Sequence, residues 1–263
     1  MKMNNKHEVI DYFNSTFKKL NVEKFDILYI YTDLRFFGKY LPFFSSKDEF
    51  FQSIVDPLLS YSGTIIMTTF TYTSSGVFDI SNSKTNLGAM NKWILGKDNH
   101  IRSEHPLFSF ASLGKEKKII QNIGKSAFGH DSVFDRLKQM NSAFLHIGRP
   151  VELGNTSIHH VEQTCGASYR YNKCFKTKVY NRDAYIGTDY TAFLRKRDVD
   201  REDFDFTFLS AARLLKNNDL VTEIGSPFQN ISIYPFNETI EFLSNQFYLN
   251  QNIFINTNYK NYK

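Results

Sequence analysis

Phe144-Leu145-His146-Ile147-Gly148 runs through a short polar stretch into Gly154-Asn155-Thr156-Ser157-Ile158-His159-His160-Val161-Glu162. The first segment is apolar enough for a buried strand, and the Asn-Thr-Ser opening the second reads as a helix start. On that helix His159 and Glu162 are three residues apart and share a face. A strand-to-helix turn presents such groups to a cleft. An imidazole with a carboxylate one turn away is a simple general base near neutral pH. His159 and Glu162 are the candidate catalytic pair.

Working outward, Val9, Phe13, Phe17 and Leu20 predict a helix over 7–21. Residues 26–31 read as a buried strand ending in Thr32-Asp33-Leu34-Arg35. Ser46-Lys47-Asp48-Glu49 resembles a capping box before a helix carrying Phe50, Ile54, Leu58 and Leu59. Residues 64–68 form a second apolar strand, emptying into a polar-aromatic loop over 69–76. Helices are expected near 87–95 and 115–123, and a strand over 143–147. The last third mixes strands near 178–186 and 229–235 with helices near 203–217 and 236–246, and the Asn/Lys-rich tail after Asn250 is expected to fray.

Strand, helix, strand within about 45 residues is the rhythm of an α/β unit. The expected fold is α/β, a central mostly parallel sheet flanked by helices with a partly helical C-terminal extension. We read 1–263 as one domain, with 165–250 as an acceptor-binding elaboration. Open α/β sheets bind ligands at the carboxyl ends of their strands. Three such ends carry polar chemistry here: Thr32-Asp33, Thr69 to Tyr72, and Asn155 to Glu162.

The 263 residues are 41% hydrophobic, which excludes global disorder. With 26 Phe, 15 Tyr and one Trp, aromatics should supply much of the core. Two cysteines, Cys165 and Cys174, are too few for a disulfide framework, so free thiols in a reducing cytosol are expected. No His/Cys cluster has zinc spacing, and no metal is expected. The N-terminal residues lack the apolar run of a signal peptide and no stretch approaches a membrane span, so the expected location is cytoplasmic, with no membrane partner.

The net charge of +5 is uneven: Arg170, Lys173, Lys176, Lys178, Arg182, Arg195, Lys196 and Arg197 face only Asp183 and Asp189 in that region. This is either a solvated face or a field that collects an anionic ligand. Interleaved tyrosines would also suit nucleic acid, but the His159–Glu162 pair speaks for an enzyme and no nucleic-acid partner is expected. In Arg102-Ser103-Glu104-His105-Pro106-Leu107-Phe108-Ser109-Phe110, Pro106 forces an extended backbone on His105, with Ser109 within the same loop. We expect His105 to contact ligand and His146 to be a plain strand residue. Gly129-His130-Asp131-Ser132 reads as a helix cap whose amides could also hold a phosphate or a thioester carbonyl.

Taken in order, Thr69-Phe70-Thr71-Tyr72, the Arg102–Ala111 loop, Gly129–Ser132 and Asn155–Glu162 resemble the aminoglycoside 3-N-acetyltransferase family, from about residue 25 to 165 and more loosely to 245. The resemblance implies an α/β enzyme that transfers an acyl group from acyl-coenzyme A to the amine of a sugar-like acceptor. It carries His159 over as the catalytic histidine and Glu162 as the carboxylate of the same helix. It also implies that Tyr31 to Gly38 binds the coenzyme. There Tyr31-Thr32-Asp33 replaces the family's His-Ser-Ser, and Leu153, with Glu152 beside it, stands where drug-modifying members tend to have Asp.

On this resemblance the expected catalytic set is His159, Glu162 and Asp33. Acyl-coenzyme A is assigned to Thr32, Asp33, Leu34, Arg35, Arg102, His105, Ser109 and Ser132. Acceptor binding falls to Thr71, Tyr72, Asn155, Arg170 and Lys173. His159 would take the amine's proton, with Glu162 or Asp33 orienting the ring. Thr71 and Ser109 are candidates for stabilising the oxyanion. Cys165, six positions after His159, falls on another face, so transfer is expected to be direct. Aminoglycosides are polycations and this chain is basic, which points to an anionic acceptor such as a nucleotide-linked amino sugar. A resistance-type aminoglycoside acetyltransferase is the alternative. Oligomeric state is left open, a homodimer included.

Overall fold

The computed structural model describes residues 3–196, 205–226 and 229–256. In chain order it builds α1 (Lys6–Lys19), β1 (Ile27–Thr32), α2 (Lys47–Ser62), β2 (Thr64–Thr68), β3 (Val77–Asp79), α3 (Ala89–Leu95), β4 (Ile101–Arg102), β5 (Phe110–Gly114), α4 (Val133–Lys138), β6 (Ser142–Ile147) and α5 (Ile158–Thr164). There follow β7 (Arg170–Phe175), β8 (Lys178–Asn181), β9 (Ala184–Gly187), β10 (Tyr190–Arg195), β11 (Asp205–Phe206), α6 (Leu209–Asn217), β12 (Thr222–Ile224), β13 (Ile231–Pro235), α7 (Phe236–Leu249) and β14 (Ile255–Asn256). Seven strands make the central sheet, in the order β12-β13-β6-β1-β2-β5-β4. It is mixed: β6, β1 and β2 run parallel, as expected, and their outer neighbours β13 and β5 pair antiparallel.

The apolar runs of β1 and β6 are continuous because both faces of the sheet are covered, and alternate residues enter two separate cores. Leu28, Ile30, Leu145 and Ile147 pack with Phe13, Phe17, Phe50 and Ile54 of α1 and α2. Ile27, Tyr29 and Phe144 point the other way, into a core with Phe134, Val161, Leu215, Phe236 and Phe247 of α4 to α7. That second core is aromatic-rich, with Phe144 stacked on Tyr234 and on Phe236 at 4.7 and 4.5 Å. The C-terminal helices thus share the core of the central sheet.

Helix starts follow the local code. Asn5, Ser46 and Ser132 cap α1, α2 and α4 through their side chains, each substitution by Ala costing about 1 kcal/mol. Several expectations shift. Residues 115–123 hold only a 3₁₀ turn, Lys117–Ile120, in place of a helix. The helix expected from 203 begins at Leu209; 197–204, with Arg197 and Asp198, lie outside the described residues. The 178–186 segment is a hairpin of β8 and β9. Residues 251–256 do not fray: Ile253 and Phe254 are buried and β14 pairs with β11, so apolar burial outweighs the polar composition of the tail. Residues 257–263 lie outside the described residues.

Candidate active site

The chain leaves β1 towards α2, on one face of the sheet, and leaves the adjacent β6 towards α5, on the other. Diverging loops at the carboxyl ends of neighbouring parallel strands open a crevice, and ligands of open α/β sheets bind there. Tyr31, Thr32, Thr68, Phe70, Tyr72, Arg149 and Thr156 line a cleft of about 260 Å³ at this point. A second cleft of about 460 Å³, lined by Thr32 to Arg35, Leu41, Lys47, Phe50, Phe51 and Met90, shares Thr32 and Gly88 with it.

Helix α5 starts at this crevice. The Tyr31 hydroxyl accepts from the Thr156 amide at 3.0 Å and donates to the Thr156 hydroxyl at 3.2 Å, while the Thr156 carbonyl accepts from the His159 amide at 3.1 Å. One turn on, His159 Nδ1 lies 2.7 Å from Glu162 Oε2. The Tyr169 hydroxyl donates to Glu162 Oε1 at 2.8 Å, and Arg170 Nε forms an ion pair with Oε2 at 2.6 Å. Glu162 is fully buried, whereas the His159 side chain is 24% exposed and packs edge-on against Phe128.

Burial pushes the Glu162 carboxyl up, but the His159 hydrogen bond and the Arg170 charge more than offset it and hold the group below its ordinary value. The ionised carboxylate accepts only, so the proton sits on His159 Nδ1 and Nε2 is the ring nitrogen with the basic lone pair. For the ring itself burial lowers proton affinity, Glu162 raises it and Arg170 lowers it, and the net direction is down. A neutral imidazole held by a buried carboxylate is the required state of a general base.

The remaining candidates divide. Thr32, Asp33, Leu34 and Arg35 line the larger cleft and Tyr72, half-exposed, lines the smaller. Asp33 is not the carboxylate that orients the ring. Arg35 binds it through Nε at 2.9 Å and Nη2 at 2.5 Å, and that hydrogen bonding holds it below its ordinary value. Thr71 donates to the Pro106 carbonyl. Asn155 donates to the Tyr234 hydroxyl at 2.9 Å and accepts from the Ser157 amide at 3.0 Å, fixing the entry to α5.

Four expected coenzyme contacts are internal supports instead. Arg102, buried over the Phe78 ring, donates to the carbonyls of Thr69 and Ser83. His105 accepts from the amides of Leu107 and Phe108 at 3.2 Å, with its other nitrogen 3.0 Å from the Thr191 carbonyl. Burial pushes its ionisation down to about 4, so it stays neutral. Ser109, fully buried, donates to the Thr69 carbonyl at 2.8 Å. Ser132 accepts from the Asp135 amide as a helix cap. These side chains satisfy buried backbone groups, which is where most buried hydroxyls and guanidiniums go.

Arg170 supports Glu162 and donates to the Phe193 carbonyl at 3.2 Å, so it is a positioning residue and not an acceptor contact. Lys173 lines a separate basic cleft of about 750 Å³ with Tyr171, Leu194, Arg195 and Lys196. His146 is a buried strand residue, as expected, with Nε2 2.7 Å from the Tyr234 hydroxyl. Sequence reasoning missed Tyr169, Phe128 and Arg149; a tyrosine seven residues after the acid, and an arginine directly after the strand-ending glycine, were the available signals. Among the described residues no group of His, Cys, Asp and Glu could hold a metal, and no helix is long and apolar enough to cross a membrane.

The profile of the aminoglycoside 3-N-acetyltransferase family matches residues 43–245. No curated protein sequence matches. Solved structures share the fold. Aminoglycoside acetyltransferase AAC(3)-Xa superposes with a TM-score of 0.75 at 17% identity, covering 90% of this chain and 92% of that one. AAC-VIa bound to sisomicin gives 0.73 at 15%, covering 92% and 97%. AAC-IIIb in its binary complex with CoASH gives 0.71 at 12%, covering 90% and 95%.

Proposed function

The chain belongs to the aminoglycoside 3-N-acetyltransferase family, and from that premise we propose that it moves an acetyl group from acetyl-coenzyme A to the amine of an amino-sugar acceptor, with His159 as general base. The observation that carries the reading is the buried Glu162–His159 contact of 2.7 Å on the helix whose start, at Thr156, lines the strand-end crevice. Sugar amines are largely protonated at neutral pH and must be neutral to attack a thioester. His159 Nε2 takes one proton from the attacking nitrogen as the N–C bond forms. The imidazolium is stabilised by Glu162 and can return the proton to the departing thiolate sulfur as the C–S bond breaks.

The larger cleft combines Leu34, Leu41, Phe50, Phe51 and Met90 with the cations Arg35 and Lys47. Apolar side chains with cations beside them suit a coenzyme built of a thin pantetheine arm and anionic phosphates. The smaller cleft is left for the acceptor.

The acceptor class best supported is an aminoglycoside: the family's own name and the sisomicin complex of a structural relative favour it over a nucleotide-linked amino sugar. A second reading has one specific observation behind it. Arg149 is the charged residue of the small cleft's lining, and a separate basic cleft holds Lys173, Arg195 and Lys196. Polycations are poorly served there, whereas a nucleotide-linked amino sugar would be attracted. Thiol release from acetyl-coenzyme A with kanamycin and with a nucleotide-linked 4-amino sugar, side by side, tests both. Turnover of neither, by folded protein, would overturn the transferase reading.

A further inference from the structure

Arg149 is an unusual group for its surroundings. Its Nη2 donates to the carbonyls of Leu153 and Gly154 at 3.0 and 3.3 Å, and its Nε is buried without a hydrogen-bond partner. The acids nearest in the loops are already engaged. Asp33 feels the Arg149 charge but is bound by Arg35, and Glu152 is paired with Lys216 at 2.7 Å. No carboxylate lines the small cleft among the described residues.

Nor is the guanidinium at the end of a loose loop. The preceding Gly148 has φ +68°, and a Cβ there would stand 2.2 Å from the Asp33 carbonyl. Its amide donates to the Asn230 carbonyl at 2.7 Å. The turn is therefore pinned between β1 and β13, with Pro150 stiffening the far side. A partly buried cation with an unmet N–H is costly, and a guanidinium lining a cleft with no described carboxylate offers its charge to an anion.

We propose that Arg149 is the anion-binding residue of the small cleft, and that an acceptor held there carries a phosphate or carboxylate. The inference rests on the transferase reading and sharpens its second acceptor. It makes Arg149 a specificity determinant: the same charge that holds an oxyanion repels a polycation from the cleft.

Inorganic pyrophosphate is the probe, titrated calorimetrically into protein saturated with coenzyme A, so that neither turnover nor the coenzyme site contributes. Wild type is expected to bind, Arg149→Met to bind at least about tenfold more weakly, as expected for losing a charged hydrogen-bonding partner, and Arg149→Lys to fall between. Lys173→Met controls for the basic cleft and should bind as wild type. Equal binding by Arg149→Met, or loss in Lys173→Met alone, would overturn the assignment. So would binding abolished by prior coenzyme A, since that places the anion on the coenzyme. Matching thermal unfolding of Arg149→Lys and wild type excludes a folding artefact. If acetyl transfer fails with every acceptor while this titration succeeds, the transferase reading falls and the anion site stands.

Discussion

Replacing Glu162 in two ways separates its charge from its shape. In Glu162→Gln the amide oxygen can take the place of Oε2, where it still accepts from His159 Nδ1 and faces Arg170, while the amide nitrogen turns to the Tyr169 hydroxyl. The tautomer survives and only the charge is lost. Two unit charges about 4 Å apart at an effective dielectric of 20 interact by about 4 kcal/mol. Arg170, 2.6 Å from the same oxygen, already offsets part of that. About 2 kcal/mol should be lost from the imidazolium-like transition state, roughly a 30-fold fall in kcat. Both variants take the anion from the Arg170 side chain, 7% exposed, and Glu162→Ala removes the acceptor beside its Nε as well. Glu162→Ala therefore costs about 3–5 kcal/mol of stability, or roughly 6–20 °C in Tm at 2–4 °C per kcal/mol, with a fall in kcat of about 10³ or more from the undirected ring. The assay is thiol release at saturating acetyl-coenzyme A, beside a thermal melt of each variant. A Glu162→Gln enzyme with kcat within twofold of wild type would refute the charge argument, and the carboxylate would then be a structural support only.

His159→Ala should leave the melt nearly unchanged and remove turnover by about 10²–10⁴; near-native activity would end the base assignment. The enzyme-borne acid limb of kcat/KM should lie below pH 6.5, because burial lowers the His159 proton affinity, and Glu162→Gln should move it lower still; a limb above 6.5 contradicts the site's electrostatics. His105, His146 and His160 are pushed by burial down to about 4, 3 and 4. The unfolded chain binds those protons first, so stability is full above pH 6.5 and falls as pH drops towards 4, with about three protons taken up on unfolding near pH 5. Denaturant unfolding across that range reads the slope. Arg102→Met should lower Tm by several degrees without changing KM for acetyl-coenzyme A, since Arg102 holds the Thr69 and Ser83 carbonyls; a raised KM with an unchanged melt would restore it as a coenzyme contact.

The strands that were legible in advance are those whose apolar runs are unbroken. β1, β2 and β6 are buried on both faces, so every position is selected for burial and the run stands out. β5 was missed because Ser112 sits in its middle, buried but hydrogen-bonded to the Ile65 carbonyl. β7, as Arg-Tyr-Asn-Lys-Cys-Phe, is mostly exposed in a two-stranded sheet and has no apolar signature at all. The loop from Arg102 to Ser109 misled for a related reason. Polar side chains gathered in a short segment look like ligand contacts, yet once buried they must satisfy backbone groups, and here Arg102, His105 and Ser109 do so among themselves and with Thr69 and Thr191.

By itself the sequence determined whatever depends on neighbours along the chain. The strand–helix alternation follows from hydrophobic period, the helix starts from their caps, and the pairing of His159 with Glu162 from the pitch of one helical turn. What tertiary structure decided is everything that needs a partner from a distant segment. Folding brought Tyr169 and Arg170 onto Glu162, turned Arg102 and His105 inwards, and left Arg149 facing a cleft that no described carboxylate lines. Burial forces polar groups to find partners, and only the three-dimensional path of the chain determines which groups are within reach.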